Sequence, residues 1–277
     1  MIVPFPYSCG KCPVCKAGFE SSCPHGGYFG DEDGMGCQAE YLRVPEAEGT
    51  LVVVPGDAKT FSDEMLASLL TLSDVMATGY HAAASAEVKP GDTAVVFGDG
   101  AVGLCAVLSA KLMGATRIIS MSRHTDRQEI AKKFGATDFV EERGDEAVAK
   151  VLEMTDGYAR TRCSNASDRP CRTTRHEGGP CRGHRGSGGP APRRRSRYSR
   201  PLLPQCRSTR WPAAVRTYDM RRLLKEVLDG NINPGIVYTG EYTLDDIQEA
   251  YAPWTNAVPS SRCCGSAKSD FVVPNDI

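Results

Sequence analysis

The sequence predicts an α/β protein, with a partial, irregular β domain that carries a cysteine lobe, followed by an incomplete doubly wound parallel sheet. Three observations lead to this fold class. Four cysteines crowd the first 23 residues, a glycine turn joins an apolar strand to an apolar helix at 93–113, and the segment 160–212 is rich in Arg and Pro. That segment contains no Lys and almost no β-branched residues, so we expect it to be disordered.

Composition and charge argue against two classes of function. The chain has 277 residues and a net charge of -1, which agrees with an enzyme, and we expect no nucleic-acid partner. No apolar run reaches membrane-spanning length, and no apolar signal segment opens the sequence. We therefore expect a cytoplasmic protein without a membrane partner, with one large domain or two modest ones.

The four cysteines, Cys9, Cys12, Cys15 and Cys23, are separated by two, two and seven residues. Such short gaps let four thiolates surround one Zn²⁺ at about 2.3 Å, which leaves no open position for a substrate. The spacing therefore predicts a structural zinc site rather than a catalytic one. Disulfides are the alternative, although two-residue gaps are short for them. His25 is either a spare ligand or a loop residue.

The first part of the chain predicts short strands and loops before one helix. The runs at 41–45 and 51–55 are apolar and end in Pro, as edge strands do. A helix is expected at 62–84, with Ser62 as its N-cap. Asp74 lies within this helix, and on the residues alone it is a cap or a solvated side chain.

From residue 86 onward the pattern alternates between strands and helices. Apolar runs predict strands at 93–97 and 117–121, and helical periodicity predicts helices at 101–113 and 125–134. Alternation of this kind is typical of a parallel sheet with crossover helices.

Gly98, Gly100 and Gly103 form a G-x-G-x-x-G motif between the first of these strands and its helix, which is the context that the dinucleotide fingerprint requires. Gly98 permits the turn, Gly100 lets a pyrophosphate approach the backbone, and Gly103 lets helix and strand pack closely. The amides at the helix start, at Ala101 and Val102, are expected to hold the phosphates. The motif predicts a Rossmann domain that binds a nicotinamide dinucleotide.

The end of the second strand indicates which dinucleotide is bound. An acidic residue there would accept hydrogen bonds from the ribose hydroxyls of NAD. This chain has Ser122 and Arg123 instead, with Arg127 one helical turn later. A hydroxyl and a guanidinium suit a 2′-phosphate, so NADP is favoured over NAD. The alternative is an Arg123 that is simply solvated at a strand end.

Together these residues resemble the zinc-dependent medium-chain alcohol dehydrogenases, which join a GroES-like β domain to a Rossmann domain. The resemblance covers 1–159 and 213–252, and it is carried by the cysteine lobe, the segment 36–41, the Asp74 segment and the glycine turn. It implies hydride transfer between a small alcohol or aldehyde and NAD(P), in an enzyme that can form homo-oligomers. It also implies that Asp74 binds a catalytic zinc and that Thr78 lies near the nicotinamide.

The resemblance is interrupted in two ways. The remaining catalytic-zinc ligands of the family would precede Met1, so we expect an N-terminally truncated chain with an impaired or inactive catalytic site. The amino-acid composition of the segments 160–212 and 253–277 is typical of a GC-rich gene that is translated out of frame. Codons that can encode parts of both segments also encode, in another reading frame, strands and helices of the family type. Between them, the family pattern returns.

These considerations predict five regions along the chain. They are a GroES-like remnant at 1–85, the first Rossmann half at 86–159, the disordered segment at 160–212, the Rossmann remainder at 213–252 and an out-of-frame tail at 253–277. In the fourth region a helix is expected at 221–230, and Thr243 is expected to cap a helix that begins at Leu244.

Two other functions stay open. One is a zinc-binding module without catalysis. The other is a basic nucleic-acid binder, in which Arg side chains at 193–200 contact phosphates and Tyr198 stacks on bases.

Overall fold

A computed structural model of the chain describes residues 1–30, 36–156 and 217–255, with side chains at 219–251 in the last range, and the backbone of four further short strands. The helices are α1 (Pro13–Lys16), α2 (Ala47–Thr50), α3 (Asp63–Thr71), α4 (Val75–Ser85), α5 (Ala101–Leu112), α6 (Thr125–Phe134), α7 (Gly144–Met154), α8 (Thr217–Leu228) and α9 (Ile247–Thr255). The strands are β1 (Pro6–Tyr7), β2 (Gly27–Tyr28), β3 (Thr93–Phe97), β4 (Arg117–Met121), β5 (Asp138–Phe139), β6 (Thr161–Asn165), β7 (Gly183–Ser187), β8 (Cys206–Thr209), β9 (Glu241–Tyr242) and β10 (Phe271–Val272).

The chain divides into two compact units. The first combines Met1–Ala77 with Ala214–Asp276, and the second contains Thr78–Ala213. The division falls inside α4, whereas the predicted boundary follows that helix. Among the described residues, none of the helices has both the length and the apolar character needed to cross a bilayer.

The second unit is built on a six-stranded parallel sheet in the order β5-β4-β3-β6-β7-β8. The strand β3 pairs with β4 on one side and with β6 on the other, so the order of the strands reverses between β3 and β6. This is the order of a doubly wound, dinucleotide-binding sheet, and the predicted α/β fold class is confirmed. Such sheets bind ligands at the carboxyl ends of the strands, where the order reverses.

The core of this unit lies where β3 and β4 meet α7. Val95 and Ile119 are fully buried at the centre of the two strands, and Ala147 and Val151 of α7 pack in the same cluster. Both strands are nearly continuous apolar runs, which is what a parallel sheet covered on both faces requires. The sheet therefore gives the loops at its carboxyl edge a rigid support.

The predicted elements of this unit agree closely with the structure. The bounds of β3, β4 and α6 match the prediction, and α5 ends one residue earlier than expected, with Met113 as its C-cap. The helix α6 stops at Gly135, which takes a φ of 108° in the left-handed region. Glycine adopts this conformation without the steric cost of a Cβ atom, which explains the stop.

The segment 160–212 differs from the expectation of disorder at three places. The backbones of β6, β7 and β8 continue the parallel sheet. Ladder hydrogen bonds join backbone groups, so a strand can pair even where its sequence lacks β-branched residues. The rest of the segment, including the Arg-rich run at 193–200, lies outside the described residues, as does most of the predicted tail at 253–277.

The first unit contains less strand than the sequence predicts. No strand forms at 41–45, and the run at 51–55 contributes one isolated antiparallel bridge, between Val52 and Ile2. β-Propensity expresses packing against a neighbouring strand, and these runs pair with almost no described backbone. Tyr41 is 89% exposed, which agrees with a segment that packs against little.

The predicted helix at 62–84 is divided into α3 and α4. Ser62 caps α3 as expected, since its Oγ accepts a hydrogen bond of 3.2 Å from the backbone N–H of Met65. Three successive backbone bonds of the i to i−3 type then tighten the chain, the last from Asp74 to Thr71. This tightening ends α3 and places Asp74 directly before α4, where the prediction had one continuous helix.

The closing segment packs against α3. The Ser68 hydroxyl donates to the Asn233 side chain at 2.7 Å and accepts from the backbone N–H of Gly235 at 3.1 Å. The helix predicted at 221–230 forms as α8, which begins earlier, at Thr217. Thr243 does not cap a helix from Leu244, because α9 begins at Ile247 and the Thr243 hydroxyl donates to Asp246 instead.

Candidate functional site

The cysteine lobe brings all four predicted zinc ligands together. The helix α1 starts with Pro13 at its first position and Cys12 as its N-cap, and the Cys12 sulfur accepts a hydrogen bond of 3.4 Å from the backbone N–H of Cys15. One turn of helix therefore places two of the thiols side by side. The ligand atoms of Cys9, Cys12, Cys15 and Cys23 all lie within 4.8 Å of one another.

The spacing of the sulfurs favours a metal over disulfides. The Cys23 sulfur lies 3.6 Å from that of Cys9 and 3.9 Å from that of Cys12, whereas a disulfide requires about 2.05 Å. Four sulfurs within 4.8 Å of one another are close enough to bind one Zn²⁺, which prefers four ligands in a tetrahedron. His25 is not a member of the cluster; its backbone N–H donates to the Cys23 sulfur at 3.4 Å, a contact that supports a thiolate.

Two thiols of the lobe, those of Cys9 and Cys15, differ in acidity. Hydrogen bonding from the backbone of Lys11 lowers the pKa of the Cys9 thiol to about 6. Burial raises the pKa of the Cys15 thiol to about 12. The lobe thus favours a thiolate at one position, and zinc binding must displace a proton at another.

The glycine turn is shaped as the fingerprint requires. Gly98 has a φ of 101°, and a Cβ atom on Gly103 would lie 2.1 Å from the backbone oxygen of Gly98. Gly100 is the N-cap of α5 and supplies no side chain to the first amides of the helix. The N–H groups at Ala101 and Val102 therefore begin the helix uncapped, which fits the phosphates of a dinucleotide.

The residues predicted to select the cofactor lie directly after β4, at Ser122 and Arg123, and in the first turn of α6, at Arg127. Arg123 is exposed, whereas Ser122 and Arg127 are 1% and 4% exposed. The Ser122 hydroxyl donates to Asp99 Oδ2 at 2.8 Å, and Arg127 Nη1 pairs with Asp99 Oδ1 at 3.3 Å. Of the three, Arg123 alone has an exposed side chain.

Sequence reasoning missed Asp99, which lies between two glycines of the turn and is 7% exposed. A signal was available, because a carboxylate within an apolar strand-turn-helix unit must be paired when it is buried. Its partners come from β4 and α6, more than twenty residues away, and only the fold identifies them.

Asp74 and Thr78 are the residues predicted for catalysis. Asp74 is half-buried and directly precedes α4, where the positive end of the helix dipole stabilises a carboxylate. Thr78 is buried in the first turn of α4. Within 1–30, 36–156 and 219–251, the cysteine lobe is the only group of three or more His, Cys, Asp or Glu side chains close enough to share a metal ion. Asp74 does not belong to this group. Since a catalytic zinc needs three protein ligands, the described residues do not fit one.

The chain is similar to several known dehydrogenases. A family model described as zinc-binding dehydrogenase matches residues 101–166. An alcohol dehydrogenase of Cupriavidus necator is 30% identical over 226 residues, and a zinc-type alcohol dehydrogenase B of Aspergillus flavus is 34% identical over 160 residues. These matches cover 80% and 55% of this chain, but 60% and 36% of the two relatives. The chain therefore spans less than two thirds of the length of either.

Solved structures agree with this similarity. A zinc-dependent alcohol dehydrogenase 2 of Streptococcus pneumonia, solved in its apo form, superposes with a TM-score of 0.72 at 27% identity, covering 92% of this chain and 71% of that chain. The fold, the strand order, the cysteine lobe and the glycine turn all agree with this similarity to dehydrogenases. The family model, the two relatives and this solved structure all point to the zinc-dependent medium-chain alcohol dehydrogenase family.

Proposed function

We propose that this chain carries the structural-zinc and cofactor-binding parts of an alcohol or aldehyde oxidoreductase that uses NADP. The observation that carries the proposal is the glycine turn above the uncapped start of α5, at the point where the strand order reverses. Similarity to an alcohol dehydrogenase supports small alcohols or aldehydes as substrates. The free thiols of the cysteine lobe support a reducing compartment, so we place the protein in the cytoplasm. A homo-oligomer is the assembly we propose.

The residues of the second unit bind and orient the cofactor in this proposal. The amides at Ala101 and Val102 hold the pyrophosphate, and Arg123 binds the 2′-phosphate as a charge-assisted partner. Bound NADP⁺ supplies the acceptor for a hydride that leaves the alcohol carbon. The contribution of the chain is to fix the dinucleotide against the rigid carboxyl edge of β3 and β4.

Asp74 and Thr78 are the residues that we propose for catalysis. We propose that Asp74 would contribute one ligand of a catalytic zinc once further ligands are supplied, and that Thr78 would then contact the nicotinamide, as the family resemblance implies. Because Asp74 does not share a ligand group with other described residues, we expect the chain to bind a dinucleotide without oxidising alcohols.

The first test is a cofactor titration of the full chain. Arg123→Asp removes the cation and places a carboxylate beside the 2′-phosphate, so the NADP to NAD affinity ratio should fall by about tenfold or more. Lys133→Asp, which makes the same charge change on the exposed last turn of α6, serves as the control and should leave the ratio unchanged. Equal ratios in Arg123→Asp and the unmodified chain would reject the role of Arg123.

The second test is a restoration of activity. A repaired chain has 160–212 and 253–277 read in the alternative frame, and it begins with the N-terminal segment of the Cupriavidus necator relative. It should oxidise primary or secondary alcohols, measured by the absorbance of the reduced cofactor, whereas the unrepaired chain should not. Asp74→Ala in the repaired chain should abolish turnover. Turnover by the unrepaired chain at the same rate, or no effect of Asp74→Ala, would contradict the proposal.

A zinc-binding module without catalysis is the second candidate. One specific observation favours it, namely the contrast between the complete cysteine cluster and the absence of Asp74 from any such group in the described parts of the chain. Zinc binding without binding of either NAD or NADP would select this candidate.

A further inference from the structure

We propose that Arg127 masks the charge of Asp99, and that this buried ion pair makes the glycine turn accept a 2′-phosphorylated dinucleotide. This inference rests on the proposed binding of NADP. It starts from a conflict in the sequence of the turn. A carboxylate at the adenosine end of such a site repels a 2′-phosphate, yet the turn that would hold the cofactor contains Asp99 between Gly98 and Gly100.

The geometry resolves the conflict. The Asp99 side chain is 10% exposed and that of Arg127 is 5% exposed, so the pair is shielded from solvent. Asp99 Oδ1 accepts from Arg127 at 3.3 Å, and Oδ2 accepts from the Ser122 hydroxyl at 2.8 Å. Both carboxylate oxygens are occupied by donors of the protein. The negative charge therefore faces a guanidinium, and a buried charge is screened little by salt.

Further hydrogen bonds fix the helix turn that carries Arg127. Its neighbour Gln128 donates from Nε2 to the backbone oxygen of Ser122 and to Glu141, each at 2.9 Å. The first turn of α6 is thereby tied to the end of β4 and to the segment after β5. These bonds keep the backbone of Arg127 beside Asp99, so the pairing that neutralises the turn is supported by the fold.

The pair also assigns distinct roles to the two arginines. Arg127 cancels the charge of Asp99, which leaves exposed Arg123 as the cation that contacts the phosphate. The acids Asp126 and Glu141 also lie at this edge, but both are exposed and water screens them. Both remain unchanged in the variants below, so they do not contribute to the differences measured.

The experiment compares dissociation constants for NADP⁺ and NAD⁺, measured by calorimetric titration of the full chain and its variants. Arg127→Gln unmasks Asp99, so the preference for NADP⁺ over NAD⁺ should fall by about tenfold or more. The double variant with Arg127→Gln and Asp99→Asn carries no charge at either position, and its ratio should return to within about threefold of the unmodified chain. Lys133→Gln removes one exposed cation from the end of α6 and should not change the ratio.

The ratio separates specificity from structure, because loss of packing would weaken both dinucleotides alike. The inference would be overturned if Arg127→Gln left the NADP⁺ to NAD⁺ preference unchanged or weakened both affinities equally. It would also be overturned if the preference stayed low in the double variant. If Arg127→Gln does not fold, Asp99→Asn is measured in its place. The uncompensated charge of Arg127 should then raise the preference for NADP⁺ by about tenfold. An unchanged preference would contradict the inference. If the unmodified chain binds neither dinucleotide, the proposed function fails and this inference fails with it.

Discussion

The cysteine lobe and the glycine turn are two binding sites that the same chain stabilises by different means. In the lobe, the buried cluster consists of Cys9, Cys15 and Cys23, with Cys12 packed against it. Behind the turn, the apolar strands β3 and β4 are buried and hydrogen-bonded along their whole length. We therefore expect the lobe to depend on a bound metal and the turn to depend on the sheet that supports it.

The largest effect is expected in the lobe. The full chain should bind one zinc, because binding at a complete structural site is worth about 10–16 kcal/mol in small zinc domains. Cys12→Ser removes one of the four thiolates and should release the metal. Zinc content measured by mass spectrometry checks this expectation. Cys37→Ser, at an exposed cysteine outside the lobe, is the matched control and should keep the metal. Two tightly bound zinc ions per chain would contradict an incomplete catalytic site.

A smaller effect is expected at the turn. Gly103→Ala places a Cβ atom at 2.1 Å from the backbone oxygen of Gly98, and backbone on both sides has to shift. We expect a loss of about 1–3 kcal/mol in the free energy of unfolding of this unit, with weaker dinucleotide binding and unchanged zinc content. Gly36→Ala meets nothing within 4 Å and should be neutral. Loss of zinc in Gly103→Ala would show that the two sites are not independent.

The smallest effect concerns an ion pair at the edge of the sheet. Arg117 donates to both oxygens of Asp138 at 2.9 Å, and these bonds lower the pKa of Asp138. A lowered pKa means that the carboxylate stabilises the fold above its unfolded pKa and loses this effect as the pH falls through the folded value. Asp138→Asn should therefore cost less than about 1 kcal/mol at pH 7, given partial exposure, and less at about pH 3, below the usual pKa of an unfolded Asp. Urea unfolding at both pH values measures this; a cost that grows in acid would contradict it.

The sheet region was predictable because its signals are local. An apolar run, a glycine turn and a capped helix are each contained within about ten residues, and β3, β4 and α6 follow their predicted bounds. The cysteine cluster was predictable for the same reason, since the four ligands lie close together in the sequence. Two of the glycine roles, at Gly98 and Gly103, also follow from local geometry.

The errors arise where partners are distant. Strands at 41–45 and 51–55 needed neighbours that the described chain does not provide, apart from the bridge at Val52. The role of Ser122 as a phosphate ligand stays a prediction, and nothing in the sequence indicates that its hydroxyl donates to Asp99, which lies 23 residues earlier. The same separation concealed the pair between Asp99 and Arg127, because charge pairing across a sheet cannot be read from neighbouring residues.

Hydrogen exchange of the full chain, before and after zinc is removed with a chelator, tests the contrast between the two sites most directly. The account predicts that amides in 9–23 are protected with zinc and exchange at least about tenfold faster without it. Amides in 93–121 should change by less than about twofold, since burial against the sheet protects them. If 93–121 loses protection together with the lobe, or if 9–23 stays protected without zinc, the claim that metal stabilises one site and packing the other is wrong.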